Sequence, residues 1–82
     1  MLTKYLAAAM KHARYEILAD DGCYYGEIKK CRGVYATAST LEECRNELEQ
    51  TLEDWILFRV YKNLTLPTID RIKLVVKKEV AA

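Results

Sequence analysis

Few side chains in this 82-residue chain have the type and spacing to do chemistry, and its carboxylates are the first to weigh. A ribonuclease H-type hydrolysis needs several carboxylates converging on two metal ions about 3.5–4 Å apart, which clamp an in-line displacement. The candidates are Glu16 and Glu27, Asp20 and Asp21, and the acids between Glu42 and Asp54. Asp20-Asp21-Gly22 is a turn tripeptide, where aspartates are favoured for backbone reasons alone. Glu16 and Glu27 fall in strand-like segments and can face one another, but two glutamates do not make a two-metal site. Nucleophilic catalysis fares no better. His12 is the only histidine and lies on an N-terminal helix, so no serine or cysteine gains a second histidine as base. Gly22, Gly26 and Gly33 are turn and strand glycines, not a phosphate-cradling loop. Cys23, Cys31 and Cys44 include no CxxC pair and, with one histidine, offer too few ligands for zinc. The expectation is no enzyme, no metal and no cofactor.

The elements that must position these residues follow from local pattern. Leu2, Tyr5, Leu6, Ala9, Met10 and Ala13 recur at helical spacing, predicting a first helix from about Thr3 to Ala13. Tyr15–Ala19 reads as a strand, Asp20-Asp21-Gly22 as the turn, and Tyr24–Ile28, aromatic and β-branched, as a second strand. Lys29–Gly33 turns the chain again into a short strand over Val34–Ala38. Thr40 with Glu43 three residues later is a capping box, and it opens a second helix from Leu41 to about Tyr61. Leu41, Cys44, Leu48, Leu52, Trp55, Ile56 and Arg59 keep the helical period on one face, and Asn63 is placed to close the helix. Leu66-Pro67 ends any helix, and the alternation of Ile72, Leu74 and Val76 with Lys73, Val75 and Lys77 predicts a fourth strand.

Short connections then set a topology. Strands one to three form a meander, and helix two carries the chain back, so strand four runs parallel to strand one beside it. The expected class is α+β, α-β-β-β-α-β, a single domain over residues 1–82 in which 1–14 is an N-terminal helical extension. The expected sheet is four-stranded and mixed, in the order 3-2-1-4, with the long helix on one face. That is a partial ribonuclease H-like layout, and a fold of this kind does not confer activity.

Composition narrows the function further. Thirteen Lys and Arg balance twelve Asp and Glu, so a general basic footprint for nucleic acid is missing. The charges are segregated, however: Glu42, Glu43, Glu47, Glu49, Glu53 and Asp54 lie between Ser39 and Phe58 with only Arg45 among them, while lysine and arginine dominate from Arg59 onward. Such a helix is a solvated face or a surface suited to a basic partner. Six tyrosines suggest stacking platforms for single-stranded nucleic acid, but their strand and stripe positions are better explained by packing. Cys23 and Cys31 lie eight residues apart, a segment of roughly 26 Å if extended, beyond disulfide reach. Free thiols, the absence of a signal h-region and the lack of any membrane-spanning stretch fit the cytoplasm.

The ordered set Tyr15-Glu16, Asp21, Tyr24-Tyr25-Gly26-Glu27-Ile28, Gly33-Val34, Ala36, Thr40, Glu43, Leu48, Leu52, Trp55 and Pro67 resembles the antitoxin domain of HicB-type toxin–antitoxin pairs. The resemblance runs from residue 15 to about 67. It implies a degenerate ribonuclease H-like module that is not itself a nuclease. Such a module binds a small basic mRNA-cleaving toxin, HicA-like, of double-stranded-RNA-binding fold, and occludes its catalytic histidine. Many members add a C-terminal DNA-binding domain. This chain stops after the fourth strand and resembles a short stand-alone subgroup, so direct DNA binding is not expected. The alternatives are a homo-oligomeric binding domain without a toxin partner and, last, a residual metal-dependent nuclease. For the antitoxin reading the candidate partner-binding residues are Tyr25, Glu27, Glu43, Glu47 and Asp54. For the oligomer, a dimer or higher, they are Leu2, Tyr5, Leu6, Ala9 and Met10.

Overall fold

The computed structural model describes residues 2–74. The order of elements is α1 (Leu2–Lys11), β1 (Arg14–Ile17), β2 (Tyr24–Glu27), β3 (Tyr35–Ala38) and α2 (Leu41–Tyr61). The elements match the sequence expectation to within one or two residues at most ends, and α2 matches it at both. Its start is set by Thr40, whose hydroxyl accepts a 3.1 Å hydrogen bond from the Glu43 amide. Its end is set by Asn63 at φ 57°: the Leu64 amide donates to the Arg59 carbonyl and the Asn63 amide to that of Val60, a Schellman closure.

The strands form an antiparallel sheet in the order β1-β2-β3. Its register aligns four cross-strand rows, Arg14–Glu27–Tyr35, Tyr15–Gly26–Ala36, Glu16–Tyr25–Thr37 and Ile17–Tyr24–Ala38. Side chains alternate across a strand, so the rows through Gly26 and Tyr24 face α2, and those through Tyr25 and Glu27 face away. At Gly26 the strand is covered by the Tyr15 ring of β1 and by Cys44 of α2. A Cβ there would lie 2.8 Å from the Tyr15 ring and 3.2 Å from Cys44 Sγ. The β1–β2 turn uses Gly22 at φ 71°, with Asp21 Oδ1 accepting from the Cys23 amide at 3.1 Å.

The core lies between the sheet and the helices. Cys44, Leu48, Leu52 and Ile56 of α2, Tyr5 and Ala9 of α1, and Ile28, Cys31 and Val34 around the β2–β3 turn are all buried. Cys44 behaves as a small apolar group with one weak polar contact, its thiol donating to the Ala36 carbonyl at 3.5 Å. Burial pushes its thiol, and still more that of Cys31 (up to about 11), above the ordinary range. Trp55 sits at the edge of this core, partly exposed.

The sequence leaves the packing of α1 open, and the fourth strand is where the structure differs from the expectation. Helix α1 lies beside α2 in the helical layer: Leu2 and Leu6 adjoin Ile56 and Leu57, whereas Met10 and Lys11 adjoin Arg45 and Glu49. The two helices are therefore antiparallel neighbours, and the outer face of the sheet carries no helix among the described residues. The expected four-stranded mixed sheet in the order 3-2-1-4 is replaced, among the described residues, by three strands. Asp70 and Arg71 both take left-handed φ values, of 49° and 65°, which folds the segment back so that Ile69 and Ile72 bond each other. Both backbone groups of Ile72 are used in that turn, and Ile69 and Leu74 complete the core. The rest of the expected fourth strand, Val75–Lys77, lies outside the described residues.

Candidate functional site

The exposed sheet face gathers side chains far apart in the sequence. Tyr25 and Tyr35, diagonal neighbours on β2 and β3, stack with ring centroids 6.2 Å apart and planes at 30°. The Tyr25 hydroxyl donates to Glu27 Oε2 at 3.3 Å along its own strand. Partial burial, and then the neighbouring Glu27 charge and that hydrogen bond, hold the Tyr25 hydroxyl above the ordinary tyrosine range. Arg14, Glu16 and Lys29 border a shallow depression of about 450 Å³ with these two residues and Tyr15. Positive and negative groups alternate over this face, which suits a protein surface better than a polyanion.

Glu43, Glu47 and Asp54 stand on the other side of the molecule. They share one outward stripe of α2, at i, i+4 and i+11, and all three are exposed. The five partner-binding candidates therefore fall into two groups, Tyr25 with Glu27 on the sheet and the three acids on α2, separated by the thickness of the domain. The oligomer candidates also divide. Tyr5 and Ala9 are fully buried within the chain, Leu6 and Met10 are half-buried, and Leu2 is exposed.

Tyr35 was not among the sequence candidates, although its strand position and the Tyr25 alternation were legible. Leu57 and Phe58, 65% and 56% exposed, extend the polar side of α2 with apolar surface. Their signal in the sequence is two apolar residues breaking the polar side of a helix. Leu57 also closes a groove of about 250 Å³ with Leu2, Leu6, Glu53 and Ile56.

Among the described residues, no three or more His, Cys, Asp or Glu side chains come together as a metal site would require. His12 is engaged with Asp70, at 2.7 Å between Nε2 and Oδ1. That hydrogen bond, chiefly, holds the Asp70 carboxyl below the ordinary range. No described helix is long and apolar enough to cross a membrane.

A three-stranded antiparallel sheet backed by two helices, with an open mixed-charge face and an acidic helix stripe, defines a small α+β domain. The chain belongs to the UPF0150-like family, whose model matches residues 4–67, a family tied to HicB-like toxin–antitoxin proteins. The match begins inside α1. The chain is also similar to TTHA0281 from Thermus thermophilus, known from a crystal structure, at 43% identity. That similarity covers 94% of this chain and 95% of the other, with a TM-score of 0.86. No curated protein matches the chain.

Proposed function

We propose that this chain is a non-enzymatic antitoxin domain, which binds a small basic mRNA-cleaving toxin of HicA type and masks its catalytic histidine. The observation that carries the reading is membership of a family tied to toxin–antitoxin proteins across residues 4–67. The surface chemistry supports it. The stripe through Glu43, Glu47 and Asp54 presents exposed negative charge from a rigid helix, and such a stripe attracts a basic partner and speeds its encounter. The dispersed carboxylates support a blocking rather than a cleaving role. The partner-facing residues of this reading are the acids of that stripe, with Tyr25 and Glu27 as the second surface. The chain acts in the cytoplasm, beside its target, and without direct contact to DNA.

The test is co-expression with the product of the adjacent reading frame, if that frame encodes a short basic chain, followed by co-purification and rescue of growth. The expected result is a stable complex and relief of toxicity, both lost when Glu43, Glu47 and Asp54 are all changed to lysine. A complex that survives this reversal but fails in Tyr25→Ala/Glu27→Ala moves the interface to the sheet. No complex and no rescue in the unaltered protein would overturn the reading.

One observation favours the second reading, a homo-oligomeric binding domain. Leu2, Leu6, Ile56 and Leu57, with Glu53, line a largely apolar groove between the helices, and Phe58 adds exposed apolar surface elsewhere on α2. Apolar surface of this kind on a small domain is suited to a self-complementary contact across a two-fold axis.

A further inference from the structure

A second groove, at the far end of α2 from its cap, is chemically unlike the surfaces above. It encloses about 280 Å³ and is lined by Lys30 and Arg32 from the β2–β3 turn, Trp55 and Arg59 from α2, and Thr65, Leu66 and Pro67. The Arg59 guanidinium lies over the Trp55 ring, 5.0 Å from its centroid. Its Nε donates to the Thr65 carbonyl at 2.8 Å. These two contacts hold the guanidinium as a fixed plane and leave its terminal amino groups as donors. The turn bearing the other two cations is anchored as well: Cys31 between them is buried, its amide donating to Ile28 and its carbonyl accepting from Val34. Three cations line the groove and, among the described residues, no carboxylate does. Asp70 interacts with Lys30, but its carboxylate is engaged by His12.

We propose that this groove binds a nucleotide, its phosphate between Lys30 and Arg32 and its base against the Arg59–Trp55 plane. Stacking of bases on aromatic rings and guanidinium planes, beside cations that take the phosphate, is the common chemistry of such sites. Leu66 and Pro67 supply the apolar wall that a flat ring needs. An acidic peptide would satisfy the cations but leave the plane without a flat partner. The same base-plus-phosphate unit is presented by a free nucleotide and by one residue of a single strand.

Trp55 is the only tryptophan in the chain, so its fluorescence reports directly on this groove. The probes are adenosine monophosphate, a short single-stranded oligoadenylate, inorganic phosphate and oligoglutamate, each titrated into the full chain with selective indole excitation. Saturable quenching by either adenine probe is expected, weakening as salt is added. Response to the monophosphate identifies a free nucleotide, and response to the oligoadenylate alone identifies a strand. Lys30→Ala/Arg32→Ala, two exposed positions whose loss leaves the core intact, should raise the half-saturating concentration by about tenfold or more. Arg59→Lys, which keeps the charge and removes the plane, should weaken quenching while the helical circular dichroism is unchanged. The proposal is overturned if neither adenine probe quenches at millimolar concentration or if the double variant binds as the parent does. Equal quenching by oligoglutamate or by phosphate alone overturns it too.

Discussion

The Tyr5 hydroxyl donates a 2.6 Å hydrogen bond to the Pro67 carbonyl, 62 positions along the chain. It joins the first helix to the segment leaving the last, and the Tyr5 ring is fully buried. Tyr5→Phe keeps the ring and orphans the partly buried carbonyl. Stability should fall by about 1–2 kcal/mol. For a domain of this size the melting temperature should drop by about 4–8 °C per kcal/mol, read by thermal circular dichroism. An unchanged melting temperature would mean that solvent replaces the bond at no cost.

Alkaline pH should destabilise the fold through Tyr5 and Cys31. Burial raises Tyr5 from 10.0 to about 12 and Cys31 from 9.0 to about 11. Each folded value lies above the ordinary one, so folding favours the neutral forms. Their contribution is complete below the ordinary values and is lost as pH rises through the folded ones. Urea midpoints should therefore hold steady up to about pH 9 and then fall toward pH 12. Cys31→Ala should remove the earlier part of that fall and Tyr5→Phe the later part. A slope identical in both variants would assign the effect to other groups.

Gly26→Ala tests how closely the Tyr15 ring and Cys44 cover the strand. The added Cβ meets Tyr15 at 2.8 Å and Cys44 at 3.2 Å, so the ring that lies across the strand must shift. Overpacking of this kind costs roughly 1–3 kcal/mol. Urea unfolding should show that loss, and Gly26→Ala combined with Tyr15→Leu should recover part of it. A neutral single variant would show that the ring moves aside freely.

Self-association should be visible by light scattering at micromolar concentration, as at least a dimer. Leu57→Glu/Phe58→Glu places charge on the exposed apolar part of α2 and should give a monomer with an unaltered far-ultraviolet spectrum. A parent protein that is already monomeric would remove the oligomeric reading and leave the Leu2–Leu57 groove without a mate.

Much of the architecture was legible from residue order because local forces decide it. The Thr40 cap, the Asn63 closure and the four-residue repeat of Cys44, Leu48, Leu52 and Ile56 define α2 whatever surrounds it. The strands follow from β-branched and aromatic runs between glycine turns. What local pattern does not encode is which layer an amphipathic helix joins. The Leu2–Met10 stripe fits equally well against a sheet or against another helix, and only the shape of the core beside α2 selects the helical layer. The segment after Pro67 shows the same limit. Its alternating residues predict a strand in the sheet, and at its first residue two left-handed residues, Asp70 and Arg71, close Ile72 onto Ile69.

The functional surfaces divide along the same line. The acidic stripe of α2 was readable from helical spacing, because Glu43, Glu47 and Asp54 lie on one element whose period is known. The Tyr25–Tyr35 stack depends on the register between β2 and β3, and the grouping of Lys30, Arg32, Trp55 and Arg59 depends on how a turn docks against a helix end. These are contacts between residues distant in the chain. Periodicity determined which side chains share a face of one element, and tertiary packing alone decided which of those faces are buried and which side chains meet.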